Sequence, residues 1–172
     1  LSCTDILVAL YDGAVLRVTP ATAAHPDRDR FILSKGHPGV ALYAVLARQG
    51  FLADADLDTM CRVGSRLGEH PDHFIPGVEV LSGSLGHGLA VGAGLAKAAK
   101  LDGRPYRTFV LMGDGECHEG SVWEAAMVAA HHGLDNLVAI VDRNQQVTLD
   151  RTEDCLKLEP LADKWRAFGW HA

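Results

Sequence analysis

RTFVLMGDGECHEGSVWEAAMVAAHHGLDNLVAIVDRNQQ, Arg107 to Gln146, decides the fold. It opens with an apolar run, Arg107–Gly113, that reads as a strand buried on both faces. A loop rich in Gly and acidic residues follows. Glu119–His132 has the apolar spacing of a helix. Asn136–Asp142, NLVAIVD, reads as a second buried strand and runs into the polar loop DRNQQ. Two apolar strands joined through a helix form a parallel pair with a right-handed crossover. Strands of this kind sit in a sheet covered by helices.

Working outward, the flanks extend the same pattern. Leu1–Gly13 has helix spacing, with Ser2 and Thr4 as cap candidates. Thr19–Arg30 is a polar loop, and Arg30–Ser34 a short strand or extended entry. Val40–Gly50 predicts a helix stopped by its glycine, and Asp54–Arg62 a shorter one. Gly64–Ser84 reads as loop. Leu85–Lys100 predicts a helix on which Gly88, Gly92, Ala96 and Ala99 form a face almost without side chains. Each interior glycine costs roughly 1 kcal/mol against alanine, so that face implies a close approach by something. Leu158–Gly169 reads as a helix with Pro160 near its start, and Phe168–Ala172 as the beginning of a strand. The expected fold class is α/β, a parallel sheet sandwiched by helices. Residues 1–172 form one domain, expected to be truncated at both ends.

The 172 residues carry 16 Lys and Arg against 22 Asp and Glu, a net charge of −6. That balance disfavours a nucleic-acid partner, whose recognition needs clustered positive charge. Apolar runs such as Leu137–Val141 fall far short of the roughly 20 residues that cross a bilayer. Cys3, Cys61, Cys117 and Cys155 are scattered, without a C-x-x-C pair, and read as reduced structural thiols. With no basic-then-apolar leader at the start, a cytoplasmic location is expected.

In an open parallel sheet, ligands bind beyond the carboxyl ends of the strands. Asp114 sits there between Gly113 and Gly115, directly after a buried strand. An ionised carboxylate in that place needs compensation, which a divalent cation supplies. Gly115 lets the backbone approach a ligand and frees an N–H for an anion. Asn144 ends the adjoining strand with a neutral amide oxygen. One Asp, one Asn and a backbone carbonyl suit magnesium bound with a diphosphate. Taken separately, Asp114 and Asn144 read equally well as turn residues. Two other phosphate motifs fail: Ser121 and Val122 stand where a P-loop needs Lys and Ser/Thr, and neither GAGLAK nor GDGECH completes the dinucleotide fingerprint.

GDG at Gly113–Gly115 followed by Asn144 resembles the thiamine-diphosphate motif. LSKGHPGVALYAVLARQG (Leu33–Gly50), HPDHFIPGVEVLSGSLGHGLAVGAGLA (His70–Ala96) and GDGECHEGSVWEA (Gly113–Ala125) resemble, in order, the N-terminal region of transketolases. The likeness is closest to split transketolases, in which this half is a separate subunit, and it runs over nearly the whole chain.

The resemblance implies thiamine diphosphate and magnesium as cofactors. It implies Asp114, Asn144 and the Gln146 carbonyl as metal ligands, and the Gly115 backbone as a diphosphate contact. His37 matches a histidine beside the diphosphate and reacting centre. Gly83, Ser84 and Leu85 match a loop touching the cofactor, and His70 a histidine that contacts the sugar. Glu119 and Glu124 match acidic residues between active sites. The implied reaction passes a two-carbon ketol unit from a ketose phosphate to an aldose, with His37 and His70 as catalytic residues. The implied partner is a C-terminal transketolase subunit or domain that supplies the pyrimidine-binding half and the activating glutamate, giving a hetero-oligomer. His73, His131, His132 and Cys117 read as structural. His87 replaces a usual Gln, Gln146 a usual aliphatic residue, and Leu149 a usual Asp. Another thiamine-diphosphate carboligase of a specialised biosynthetic route is the alternative; a non-catalytic paralogue comes next, and a metal-dependent hydrolase last.

Overall fold

The computed structural model describes residues 2–172; Leu1, the first residue of the expected opening helix, lies outside them. Three parallel strands form the sheet, in the order β1 (Arg30–Leu33), β2 (Thr108–Gly113), β3 (Leu137–Asp142). The register pairs Leu33 with Leu111 and Gly113 with Asp142, which brings the β2 and β3 carboxyl ends level.

Alternation along the strands builds two cores. Phe31, Leu33, Phe109 and Leu111 face one way, onto α1 (Thr4–Tyr11) and α2 (Gly39–Arg48) through Leu7, Leu10, Leu42 and Leu46. Ile32, Val110 and Met112 face the other way. There they meet α4 (Gly88–Leu101), α5 (Gly120–His131) and α7 (Leu161–Ala167) through Leu89, Ala96, Val122, Ala126 and Trp165. Each fully buried Leu, Ile or Val contributes roughly 1.5–3 kcal/mol, so both faces of the sheet hold the loops at its rim. No helix among the described residues is long and apolar enough to cross a membrane. Cys3 and Cys117 are buried, Cys61 and Cys155 exposed, and all four are free.

The small-residue face of α4 is explained by the sheet. A Cβ on Gly88 would fall 2.2 Å from Ser34 Oγ, and one on Gly92 would fall 2.4 Å from Val110 Cγ2. The close approach is therefore internal, and the stripe Gly88–Gly92–Ala96–Ala99 is not a free contact surface.

Several expectations are corrected. β3 is only half-buried over Val138–Val141: it is an edge strand, and a groove lined by Ala139, Val141 and Trp165 opens along it. Phe168–Ala172 forms no strand: Trp170 folds back edge-on to Trp165 and donates its indole N–H to the Ala126 carbonyl. Asp54–Arg62 keeps only one helical turn, α3 (Asp54–Leu57), before Cys61 takes a positive φ and its N–H goes to the Leu67 carbonyl. The fourth helix begins at Gly88 rather than Leu85, since Gly86 has φ +84 and gives its N–H to a buried glutamate. Ser2 does not cap α1; its hydroxyl donates to Asp142.

Candidate active site

The carboxyl ends of the strands open into a cleft of about 540 Å³, lined in part by Lys35, His37, Leu85, Asp114, Gly115, Asn144 and Gln146. Its floor is GDG. Asp114 is fully buried. Its Oδ1 accepts the Gly115 N–H at 2.8 Å. Its Oδ2 accepts the Gln145 N–H at 2.8 Å, the Thr152 hydroxyl at 3.0 Å and Arg143 Nη1 at 2.6 Å. The Asp114 N–H in turn donates to the Asp142 carbonyl. The two rim loops are thus knitted through one carboxylate.

The second loop turns sharply at Gln145, which has φ +63. The Asn144 amide oxygen accepts the Gln146 N–H at 2.9 Å, an Asx turn. A Cβ on Gly115 would fall 2.4 Å from Val147 Cγ1 and 3.7 Å from the Gln146 carbonyl oxygen. The glycine is what lets the second loop lie against the first.

Glu116, which the sequence pattern does not single out, joins three loops. Buried at 2% exposure, it accepts the Ser34 hydroxyl, the Gly86 N–H at 2.8 Å and the Gly113 N–H at 3.2 Å. Ser34 belongs to the SKGH segment, Gly86 to the SLGH segment and Gly113 to GDG, so the segments that carry the motif meet on one carboxylate. Lys35 is equally silent in the sequence. Its buried ammonium reaches Asp142 at 2.5 Å.

His37 lines the cleft and stays open to solvent on one side; Pro38, not His37, occupies the helix N-cap. Partial burial of the ring, reinforced by the Lys35 ammonium and by His70, holds His37 below the usual imidazole range. His70 is exposed and not among the cleft's lining residues; it packs beside two glycines, since a Cβ on Gly36 would fall 2.7 Å from its ring and one on Gly83 would fall 2.8 Å from it. Leu85 lines the cleft, whereas Gly83 and Ser84 are not among its lining residues. His87 Nδ1 lies 3.1 Å from both the Ser84 hydroxyl and the Leu85 carbonyl, so the residue that replaces Gln still buttresses this loop. Glu119 lines the cleft, whereas Glu124 lies in a separate groove between α4 and α5. Burial pushes the Cys117 thiol up to about 12, which makes it a poor nucleophile or ligand. His131 and His132 end α5, away from the cleft, and His73 pairs with Asp72 on the surface.

The donor set fits a hard divalent cation with a diphosphate. A carboxylate, an amide side chain and a free-standing carbonyl are oxygen ligands of the kind magnesium takes. The space that a Gly115 side chain would take is filled by Val147, so the fit rests on the oxygen donors. No group of three or more His, Cys, Asp or Glu that could hold a metal occurs among the described residues.

Comparison with known proteins shows the family. The family described as "Transketolase, thiamine diphosphate binding domain" matches residues 1–172. The chain is similar to an apulose-4-phosphate transketolase subunit of Phocaeicola vulgatus, 50% identical over 170 residues, covering 99% of this chain and 60% of that protein. It is similar to the 6-deoxy-6-sulfo-D-fructose transketolase subunit SqwG of a Clostridium species, 44% identical over 172 residues, covering 99% of this chain and 62% of that protein. A Pichia stipitis transketolase in complex with sedoheptulose-7-phosphate superposes with a TM-score of 0.86 at 32% identity, over 96% of this chain and 26% of that one. The chain therefore spans about 60% of the length of the subunits it matches.

Proposed function

The chain belongs to the transketolase family, as its thiamine-diphosphate-binding domain, and from that premise we propose that it is the diphosphate- and magnesium-binding half of a transketolase. The whole protein would transfer a two-carbon ketol unit from a ketose phosphate to an aldose. One observation carries this reading. The GDG and DRNQQ loops meet so that Asp114 accepts the Gln145 N–H at 2.8 Å, while the Gln146 carbonyl oxygen would lie 3.7 Å from a Cβ on Gly115.

Bound in the cleft, thiamine diphosphate would supply the carbon nucleophile for carbon–carbon cleavage and transfer, and magnesium would neutralise its diphosphate. Asp114, Asn144 and the Gln146 carbonyl hold the cation. The Gly115 N–H, expected from the sequence to be free for an anion, is taken by Asp114 Oδ1 at 2.8 Å and would have to leave it to serve the diphosphate. Leu85 would wall one side of the cleft beside the cofactor.

His37 and His70 act on substrate oxygens. His37, held below the usual imidazole range by burial and by Lys35, can in its neutral form both donate and accept a hydrogen bond, so it can orient a hydroxyl and move a proton. His70, packed on Gly36 and Gly83, has a fixed ring position from which to bind a sugar hydroxyl.

Relatives named as subunits support a partner subunit that supplies the pyrimidine-binding half and the activating glutamate. Their substrates, apulose-4-phosphate and a 6-deoxy-6-sulfo sugar, support a specialised sugar as the substrate of this enzyme too. The test is calorimetry on the assembled protein with thiamine diphosphate and magnesium, comparing the native chain with Asp114→Ala. Loss of saturable cofactor binding is expected; unchanged affinity removes the cation assignment. Turnover of ketose phosphates, measured with and without the partner half, tests the transfer reaction.

A further inference from the structure

The carboxylate assigned to the cation is already ion-paired. Arg143 Nη1 contacts Asp114 Oδ2 at 2.6 Å, Nη2 contacts Glu153 at 2.7 Å and Nε contacts Glu159 at 3.0 Å. One guanidinium therefore links the cleft floor to α6 (Thr152–Cys155), which carries Glu153, and to Glu159 just before α7. A cation beside a metal ligand ordinarily opposes metal binding through charge repulsion. Two features of this site remove that conflict.

The first is the division of labour on Asp114. Oδ2 takes three donors, from Gln145, Thr152 and Arg143, which leaves it no lone pair for a metal. Oδ1 takes only the Gly115 N–H and keeps a lone pair free. The second is charge. One guanidinium facing three carboxylates leaves two negative charges in surplus, the complement of a divalent cation.

We infer that Arg143 is a positioning residue: it locks Asp114 through Oδ2, reserves Oδ1 for the cation, and orders the loop Asn144–Thr152 before any cation arrives. The inference rests on the proposed magnesium reading and deepens it. Glu153 and Glu159 are part of the device, because they hold the guanidinium in a fixed plane and cancel its charge. Glu153 also accepts the Leu158 N–H, and Glu159 the Leu161 N–H, so both are anchored to backbone.

The test uses Mn2+ as the probe, with thiamine diphosphate, on the assembled protein. In Arg143→Met, Mn2+ affinity is expected to fall about tenfold or more, in the range seen when groups behind metal ligands are removed. Without metal, amide exchange over residues 144–152 should accelerate, and adding Mn2+ with cofactor should restore protection. Glu153→Gln combined with Glu159→Gln keeps the Asp114 pair and guards against a folding defect in the arginine variant. It should weaken Mn2+ as well, since an uncompensated guanidinium then faces the metal. Equal or tighter Mn2+ binding by Arg143→Met, with exchange unchanged, overturns the inference and makes Arg143 a simple competitor. Asp114→Ala separates the two levels. If it also binds Mn2+ normally, the magnesium reading itself fails; if it alone loses Mn2+, only the role of Arg143 fails.

Discussion

The Lys35 ammonium lies 2.5 Å from the Asp142 carboxylate and joins the ends of β1 and β3, two strands that are not neighbours in the sheet. To do so the lysine passes over the end of β2, where a Cβ on Gly113 would fall 3.3 Å from Lys35 Cδ. Gly113 is thus small for an internal reason. The pair clamps the rim from which both candidate ligand loops depart.

Breaking this buried pair should be costly. Desolvation pushes the Asp142 carboxyl up, but hydrogen bonds from Lys35 and Ser2 outweigh it and hold the group below the usual carboxylate range. Lys35→Met should destabilise by about 3–5 kcal/mol near neutral pH, because it strands a buried carboxylate. A depressed carboxyl stabilises the fold above its unfolded value and loses that contribution as pH falls through the folded value. The variant's deficit should therefore shrink in acid. Urea denaturation of both proteins over a range of pH measures it; a deficit independent of pH would contradict the assignment.

Glu116→Gln tests the junction of the three loops. The amide can no longer accept from Ser34, Gly86 and Gly113 all at once. A loss of about 1–3 kcal/mol in unfolding free energy is expected from the unmet buried donors, together with weaker thiamine-diphosphate binding. Loss of stability with cofactor affinity intact would make Glu116 a packing residue alone.

His37 gives a pH signature. Its imidazole is held below the usual range, so between that folded value and the unfolded value of about 6.5 the unfolded chain binds more protons than the folded one. Stability should fall as pH drops through that window and level off below the folded value. His37→Gln should remove this component, which appears as a difference between two stability-versus-pH curves. Identical slopes would show that the environment of His37 has been misread.

Two glycines on α4 should respond in opposite directions. Gly92→Ala drives a methyl to within 2.4 Å of Val110 Cγ2 and should cost about 1–3 kcal/mol. A methyl on Gly94 would meet nothing within 4 Å, so Gly94→Ala should gain up to about 1 kcal/mol from helix propensity. Thermal denaturation of the two variants decides; equal effects would place the close approach elsewhere on the helix.

The fold was largely legible because both strand-forming runs are apolar enough to exclude any other reading, and because GDG and Asn144 stand at their ends. The half-exposure of β3 was not legible, since an apolar strand reads alike at the centre and at the edge of a sheet. Nor could the sequence show what the Gly/Ala stripe on α4 meets; only the position of Ser34 and Val110 answers that. At the site, Asp114 and Asn144 could be singled out by residue type and place. Lys35, Glu116, Arg143 and Thr152 could not, because each is tied into the site by at least one contact spanning between 29 and 107 residues of chain.

The most direct measurement is the anomalous-scattering map of crystals of the assembled protein grown with thiamine diphosphate and Mn2+. A single manganese peak is expected within bonding distance of Asp114 Oδ1, the Asn144 amide oxygen, the Gln146 carbonyl and the cofactor's diphosphate, with Arg143 still on Oδ2. A cofactor bound with its metal away from Asp114, or with no metal between the GDG and DRNQQ loops, would contradict the reading.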